Sequence, residues 1–188
     1  ETMGQELSID DLYVFITEVG YVMNDVEHFD RAISYLEESL KIDESNPDVL
    51  IDLAYANEMK GDFAQAIEYN NRLLDLDPYS FEGWVNIGKL YSMNEQYEKA
   101  IDSFDFALTI NENDVSALKM KALSLYLNDN APEAIRIFEE CSRISPDDES
   151  LYDSLLEGYE AMEQYDQMMR VIDIKEKRFG SKGIATRR

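Results

Sequence analysis

Four alanines recur at a constant spacing of 34 residues, at Ala32, Ala66, Ala100 and Ala134. Isoleucine follows each of them, and an aromatic residue lies three positions before all but the last. A degenerate fifth copy follows in register at residues 165–169. A constant period of this length indicates stacked repeats, because each unit is too small to bury its apolar face without neighbours. The chain is therefore expected to form a solenoid, and this architecture argues against catalysis.

A second small position keeps the same period, at Gly20, Ala54, Gly88 and Ala122. Apolar residues recur at steps of three and four, which predicts two helices in each unit. Asn, Asp and Ser stand between these segments and are expected to cap the helices. We interpret the small residues as contact points, with Ala54 facing Ala66 and Gly88 facing Ala100, where two helix backbones approach closely.

The period and its residues resemble the tetratricopeptide repeat (TPR) family. The third unit carries the resemblance most fully, in Trp84, Ile87, Gly88, Tyr91, Ala100, Phe104 and Ala107. The resemblance spans roughly residues 11–178 and implies an all-α fold, a right-handed TPR superhelix (α-solenoid) of about five helix-turn-helix repeats. The predicted organisation is an N-terminal extension or cap at 1–10, a solenoid at 11–180 and a basic flexible tail at 181–188. Its repeats are predicted at about 13–46, 47–80, 81–114, 115–148 and 149–180.

The chain is strongly acidic, with 40 acidic and 17 basic residues and a net charge of −23. Residues 175–188 reverse the balance, with six Lys or Arg against one Glu. The whole chain carries −23 and this segment +5, so the first 174 residues carry −28. Such a body should repel nucleic acid and anionic membranes and favour partners with basic segments. The alternative is that the charge only keeps the protein dispersed.

The single cysteine excludes an internal disulfide and fits a reducing compartment. No apolar run reaches the roughly 18–20 residues that a membrane span requires. No leader sequence is visible either, so we expect a cytoplasmic location without membrane insertion.

The sequence offers no arrangement for catalysis, a cofactor or a metal. His28, the only histidine, has no Cys or second His to complete a transition-metal site. Cys141 takes the place of Ala107 one period earlier and is expected to be a small core residue. Glycine-rich phosphate loops and calcium loops are also missing. We therefore predict a protein that is not an enzyme.

Asn57 and Asn70 interrupt the apolar pattern of the second unit. They occupy positions that hold Tyr91 and Phe104 in the third unit. We predict that the two Asn side chains are buried and hydrogen-bond to each other or to a buried water, because an unpaired buried amide costs about 1–3 kcal/mol.

The resemblance also implies a binding surface, since TPR proteins usually bind ligands along a concave groove formed by the first helix of each repeat. The middle of this surface is apolar and aromatic, and its ends are acidic. We expect about a third of its residues to pack between neighbouring repeats instead. The predicted groove residues are Tyr21, Ile51, Asp52, Tyr55, Met59, Glu82, Val85, Asn86, Lys89, Met93, Lys119, Met120, Leu123 and Tyr126.

One familiar TPR specificity does not fit this surface. Repeats that grip the acidic C-terminal tails of heat-shock chaperones use a clamp of Lys, Arg and Asn. Asn86 matches that pattern, but Ser116 and Met120 stand where Lys and Arg belong. We therefore predict that no chaperone carboxylate-tail clamp is present.

The sequence as a whole predicts a non-catalytic protein-interaction module or scaffold. Its expected ligand is a peptide or amphipathic helix with basic residues, bound in the concave groove. An alternative is a structural segment of a longer TPR scaffold that assembles through its ends and convex face, with self-association through terminal repeats. A more remote alternative is the regulatory part of an enzyme whose catalytic domain is absent.

Overall fold

The structure is a computed structural model that describes residues 26–180, with side chains from residue 29. Tyr21, the side chain of His28, the predicted extension at 1–10 and the predicted tail at 181–188 lie outside the described residues. Every regular element between 26 and 180 is an α-helix, as the all-α prediction requires. The helices are α1 (Val26–Leu40), α2 (Pro47–Lys60), α3 (Phe63–Leu76), α4 (Phe81–Met93), α5 (Tyr97–Ile110), α6 (Val115–Leu127), α7 (Ala131–Ile144), α8 (Glu149–Ala161) and α9 (Tyr165–Phe179).

The helix starts follow the sequence period. The helices α2, α4, α6 and α8 begin at 47, 81, 115 and 149, and α3, α5, α7 and α9 begin at 63, 97, 131 and 165. Each of the helices α2, α4, α6 and α8 is preceded by a residue whose side chain accepts a hydrogen bond from a backbone N–H of the first turn. These caps are Asn46, Ser80, Asp114 and Asp148. They satisfy donors that a helix leaves unpaired, and the predicted capping is confirmed at these four starts and at Asp62 before α3. It is wrong for Asn130, whose side chain makes no capping bond at the start of α7.

The turns inside the helical pairs also repeat. One residue in each turn has a positive φ: 83° at Gly61, 58° at Glu95, 59° at Asp129 and 56° at Glu163. This left-handed conformation suits glycine and strains other residues. Glycine occupies this position only in the first of the four turns, at Gly61.

The helices fall into two compact units, one ending at Tyr79 and one beginning at Ser80. In the first unit α2 packs against both α1 and α3. Its core contains Leu36, Leu40, Val49, Leu50, Leu53, Ala54 and Tyr69. An ion pair of 2.6 Å between Lys60 and Asp30 also joins α2 to α1.

The second unit contains α4–α9, each packed against the next along the chain. Fully buried Phe104 lies in a cluster with Val85, Ala100, Ala107 and Ala117. A second cluster in α6–α9 is formed by Leu118, Ala122, Leu125, Ala134, Ile135, Ile137, Phe138, Cys141, Leu151, Tyr152, Leu155, Tyr159, Val171 and Phe179.

The small positions from Ala54 to Ala134 are buried, Ala32 is partly buried, and one contact differs from the prediction. Ala66, Ala100, Ala122 and Ala134 are fully buried. A Cβ atom added to Gly88 would lie 2.7 Å from Cε1 of Phe104, and the nearest atoms all belong to this ring. Gly88 therefore makes room for an aromatic ring, whereas we expected Ala100 to be its close neighbour.

The pairing predicted for Asn57 and Asn70 is wrong, although both side chains are buried as expected. Asn57 Nδ2 donates to the Leu53 carbonyl at 2.8 Å, and Asn70 Nδ2 donates to the Ala66 carbonyl at 2.9 Å. Each amide thus bonds to its own helix one turn back. A carbonyl of the same helix competes well with a partner on the other helix, because a bond to it requires no particular distance between the two helices.

Candidate functional site

An exposed apolar stripe runs along α2. Ile51, Tyr55 and Met59 follow each other at four-residue steps, so they lie on one side of the helix. They are 52%, 51% and 45% exposed, respectively. The other side of α2 is already buried in the core through Leu50, Leu53 and other residues. The stripe is therefore available to a ligand without loss of core packing.

Carboxylates border this stripe. Asp48, Asp52 and Glu58 lie on the same side of α2, and none of the ion pairs among residues 29–180 involves them. We call the stripe and these three carboxylates the α2 face. Cations on a ligand could pair with these carboxylates, because their charge is not neutralised within the described residues.

Of the three carboxylates, Asp52 has the environment that least favours a charged group. Its Oδ2 atom is buried and has no hydrogen-bond partner, a condition found at no other side chain in the described part of the chain. Burial raises the pKa of the Asp52 carboxyl above its ordinary value, and the nearby Asp48 carboxylate raises the pKa further. A cation on a ligand beside this carboxylate would act against both effects, because an opposite charge lowers the pKa of a carboxyl.

The second unit has a smaller exposed surface on the corresponding helices. Met93 on α4 and Leu123 and Leu127 on α6 are each about half exposed. Glu82 and Asn86 are exposed, and Lys89 is half-buried. We call Met93, Leu123, Leu127 and Lys89 the α4–α6 face, which differs from the α2 face because it contains a cation.

Four predicted groove residues are unavailable, or only partly available, to a ligand. Val85 is buried in the cluster around Phe104, and Met120 packs against the same cluster. Tyr126 packs against the α6–α9 cluster. For these three positions, adjacent helices of the second unit cover side chains that the helical register placed on the surface.

Lys119 is the fourth, and its charge is already neutralised. Its ammonium group donates to Asp148 at 2.7 Å and to the Ser150 hydroxyl at 2.8 Å. The bond from Lys119 is the main cause that lowers the pKa of the Asp148 carboxyl, and the Ser150 hydroxyl, which donates to Asp148 at 2.7 Å, lowers this pKa further. Lys119 therefore ties α6 to the start of α8 rather than presenting a free cation.

Sequence reasoning overlooked two features. Glu58 belongs to the α2 face, and its position three residues after Tyr55 could have revealed it. Trp84 of α4 stacks on Phe106 of α5 with ring centroids 4.6 Å apart. Phe106 is half exposed, and Ile110 one turn later is also exposed. No periodic signal marks this aromatic pair, because the other units have no aromatic residue at the position of Phe106.

Between residues 29 and 180, no group of three or more His, Cys, Asp or Glu side chains is arranged to hold a metal ion. Cys141 is fully buried, and burial raises the pKa of its thiol to about 11. It is the core residue that we predicted. None of the helices within the described residues is long and apolar enough to cross a membrane.

Comparison with known families agrees with the repeat geometry. Two models described as tetratricopeptide repeat match residues 25–85 and 81–114. The chain is a tetratricopeptide repeat protein. It therefore has the repeat fold of a family of protein-interaction scaffolds.

The curated relatives are similar to this chain over part of their own length. The chain is 27% identical over 169 residues to anaphase-promoting complex subunit 3 of Schizosaccharomyces pombe, covering 88% of this chain and 24% of that protein. It spans a quarter or less of the curated relatives it matches.

Solved structures show the same fold at low identity. A crystal structure of MamA superposes with a TM-score of 0.77 at 22% identity, covering 93% of this chain and 96% of MamA. YrrB, a TPR protein with an unusual peptide-binding site, superposes with a TM-score of 0.71 at 16% identity, covering 90% of this chain and 86% of YrrB.

Proposed function

We propose that this TPR protein is a non-catalytic interaction module that binds a basic peptide or amphipathic helix. The α2 face is the observation that carries the proposal. Three large apolar side chains are exposed there at helical spacing, and the bordering carboxylates have no cationic partner among the described residues. Apolar anchors with flanking Lys or Arg would complement such a surface.

The apolar stripe supplies the anchoring contacts in this proposal. Tyr55 offers a large ring with a polar tip, and Met59 adapts to irregular surfaces. Binding would cover the exposed halves of both side chains. Loss of one aromatic anchor typically weakens an interface by about 2 kcal/mol, which is more than tenfold in affinity.

Asp52 supplies the preference for a cation. The partly exposed Asp52 carboxylate has no cationic partner among the described residues, so a Lys or Arg side chain between Ile51 and Tyr55 would pair with it. The α4–α6 face is our second candidate for a peptide-binding surface. Lys89 there would favour a ligand segment that carries a carboxylate.

Anisotropy of a labelled helical peptide composed of Leu and Lys tests the proposal. We expect the chain to bind this peptide and not an analogue in which Glu replaces every Lys. Tyr55→Ala should weaken binding more than tenfold, and Asp52→Asn should reduce its salt dependence. Tyr79→Ala is the matched control, because Tyr79 is 84% exposed and lies outside α2. Equal binding of the two peptides, or equal effects of both Tyr variants, would contradict the proposal.

A pull-down from the source cells then identifies the partner. The bait variant Tyr55→Ala/Lys89→Glu changes both faces, and circular dichroism should first show that it remains helical. A protein retained by the wild type and lost by this variant is the expected ligand. Equal retention would favour assembly through other surfaces, such as that of Phe106 and Ile110.

A further inference from the structure

The last helix, α9, has an apolar stripe that no described residue covers. Tyr165 and Met169 are 61% and 60% exposed, and Ile172 continues the same side at half-buried depth. Val171 is buried and faces the core instead. One period earlier, Ile135 occupies the position of Met169 and packs against Gly158 of the following helix. Met169 therefore stands where the preceding unit contacts a further helix.

A row of charges borders this stripe. Asp166, Arg170, Asp173 and Lys177 follow at steps of four, three and four, and all are exposed. Within one chain Lys177 pairs with Asp173, which leaves Asp166 and Arg170 without an ion-pair partner among the described residues. The signs of the charges alternate along the row, so the row in reverse order has the opposite sign at every position. In an identical antiparallel helix, related by a two-fold axis between residues 171 and 172, Asp166 faces Lys177 and Arg170 faces Asp173. Two-fold contacts bring the same flank of both helices together, so each charge meets an opposite one.

The same axis brings the stripe to a cavity. Tyr165 of the partner subunit would lie opposite residues 177 and 178. A cavity of about 320 Å³ lies at this end of α9 and is lined by Glu149, Ile172, Lys175, Glu176, Phe179 and Gly180. Ile172 and Phe179 offer apolar contact to a tyrosine ring, while Glu149 and Lys175 offer polar partners for its hydroxyl.

Overall charge also favours α9 as the meeting point of two copies. Two chains of net charge −23 repel each other. The segment 165–179 contains four Lys or Arg and three Asp or Glu, a balance of +1. We propose that α9 is a self-association surface, on which a second copy of this chain packs antiparallel through Tyr165, Met169 and Ile172.

Sedimentation equilibrium of the full chain tests this surface. We expect the mass to rise with concentration toward twice the 21.7-kDa chain. Arg170→Asp creates two like-charge contacts by symmetry and should raise the dimer dissociation constant about tenfold or more. The charge exchange Arg170→Asp/Asp173→Arg should restore association. A wild type that stays monomeric at every concentration, or an exchange that restores nothing, would overturn the proposal.

Disulfide trapping tests the position of the axis. Ile172→Cys lies beside the axis and should give a covalent dimer when oxidised with diamide. Tyr165→Cys is the matched control, because its symmetry mate lies roughly 20 Å away at 1.5 Å per residue. Cys141 is fully buried and should not react. Dimers trapped equally by both variants would refute the antiparallel register. Tyr55→Ala should leave trapping unchanged, which separates this surface from the α2 face.

Discussion

The contact between Gly88 and Phe104 makes a measurable prediction about packing. A methyl group on Gly88 would lie 2.7–3.0 Å from three atoms of the Phe104 ring, where ordinary contacts are about 3.4–4 Å. Phe104 is fully buried, so the ring cannot move into solvent. Overpacking of this kind costs about 1–3 kcal/mol. Alanine gains about 1 kcal/mol over glycine within a helix, which offsets part of the cost.

We therefore expect Gly88→Ala to destabilise the wild type by up to about 2 kcal/mol. In a Phe104→Leu background the ring is absent, and the same change should stabilise the protein by up to about 1 kcal/mol. The difference between the two effects is the coupling energy, about 1–3 kcal/mol. This coupling decides the question even if the net effect in the wild type is small.

Urea denaturation of the four variants measures the coupling. Fluorescence of Trp84, the only tryptophan, reports locally because it lies on the same helix as Gly88. Gly180→Ala is the matched control, since an added Cβ would meet nothing closer than 4.0 Å. A coupling below about 0.5 kcal/mol, the usual limit of additivity, would refute our account of why glycine occupies position 88.

Three further predictions concern the turns, Asp52 and Cys141. Glu95→Gly should raise the free energy of unfolding by about 0.5–1 kcal/mol in urea titrations, because it removes left-handed strain but adds unfolded-state entropy; Gly61→Ala should lower it. The pKa of Asp52 is raised by burial, so the folded state binds its proton more tightly than the unfolded state does. The free energy of unfolding should thus fall as pH rises from the pKa of Asp52 in the unfolded state through its pKa in the folded state. In thermal melts at different pH values, Asp52→Asn should stabilise the protein at neutral pH but not well below pH 3.8. The Cys141 thiol, with its pKa of about 11, should resist iodoacetamide at pH 8 in the folded protein and react once urea unfolds it; fast reaction without urea would contradict its burial.

Much of the fold could be predicted because it depends on local chemistry that repeats. The caps at Asn46 and Ser80 follow from side chains that accept a backbone hydrogen bond. The burial of Ala66 and Ala100 follows from the period alone. The pairing of Asn57 with Asn70 could not be judged from the sequence, because it requires a particular separation between two helices, which the pattern does not define; each amide instead bonds to a carbonyl of its own helix.

The candidate site was predicted less completely. Ile51, Val85 and Lys119 share one register position, so the sequence assigns them the same direction from their helices. In the structure Ile51 is half exposed, Val85 is buried and Lys119 forms an ion pair. The register is common to all three, but the side chains that surround each position are not.

The sequence by itself thus determined the helical repeats, their starts and their small contact positions, because these depend on spacing within the chain. Tertiary structure alone decided which apolar side chains stay exposed and which charges remain unpaired. The exposed stripe of Ile51, Tyr55 and Met59 and the unsatisfied Oδ2 atom of Asp52 belong to this second class. Exposure and pairing depend on the size and charge of the residues that other helices bring near. A periodic pattern does not say which residues these are or how close they lie.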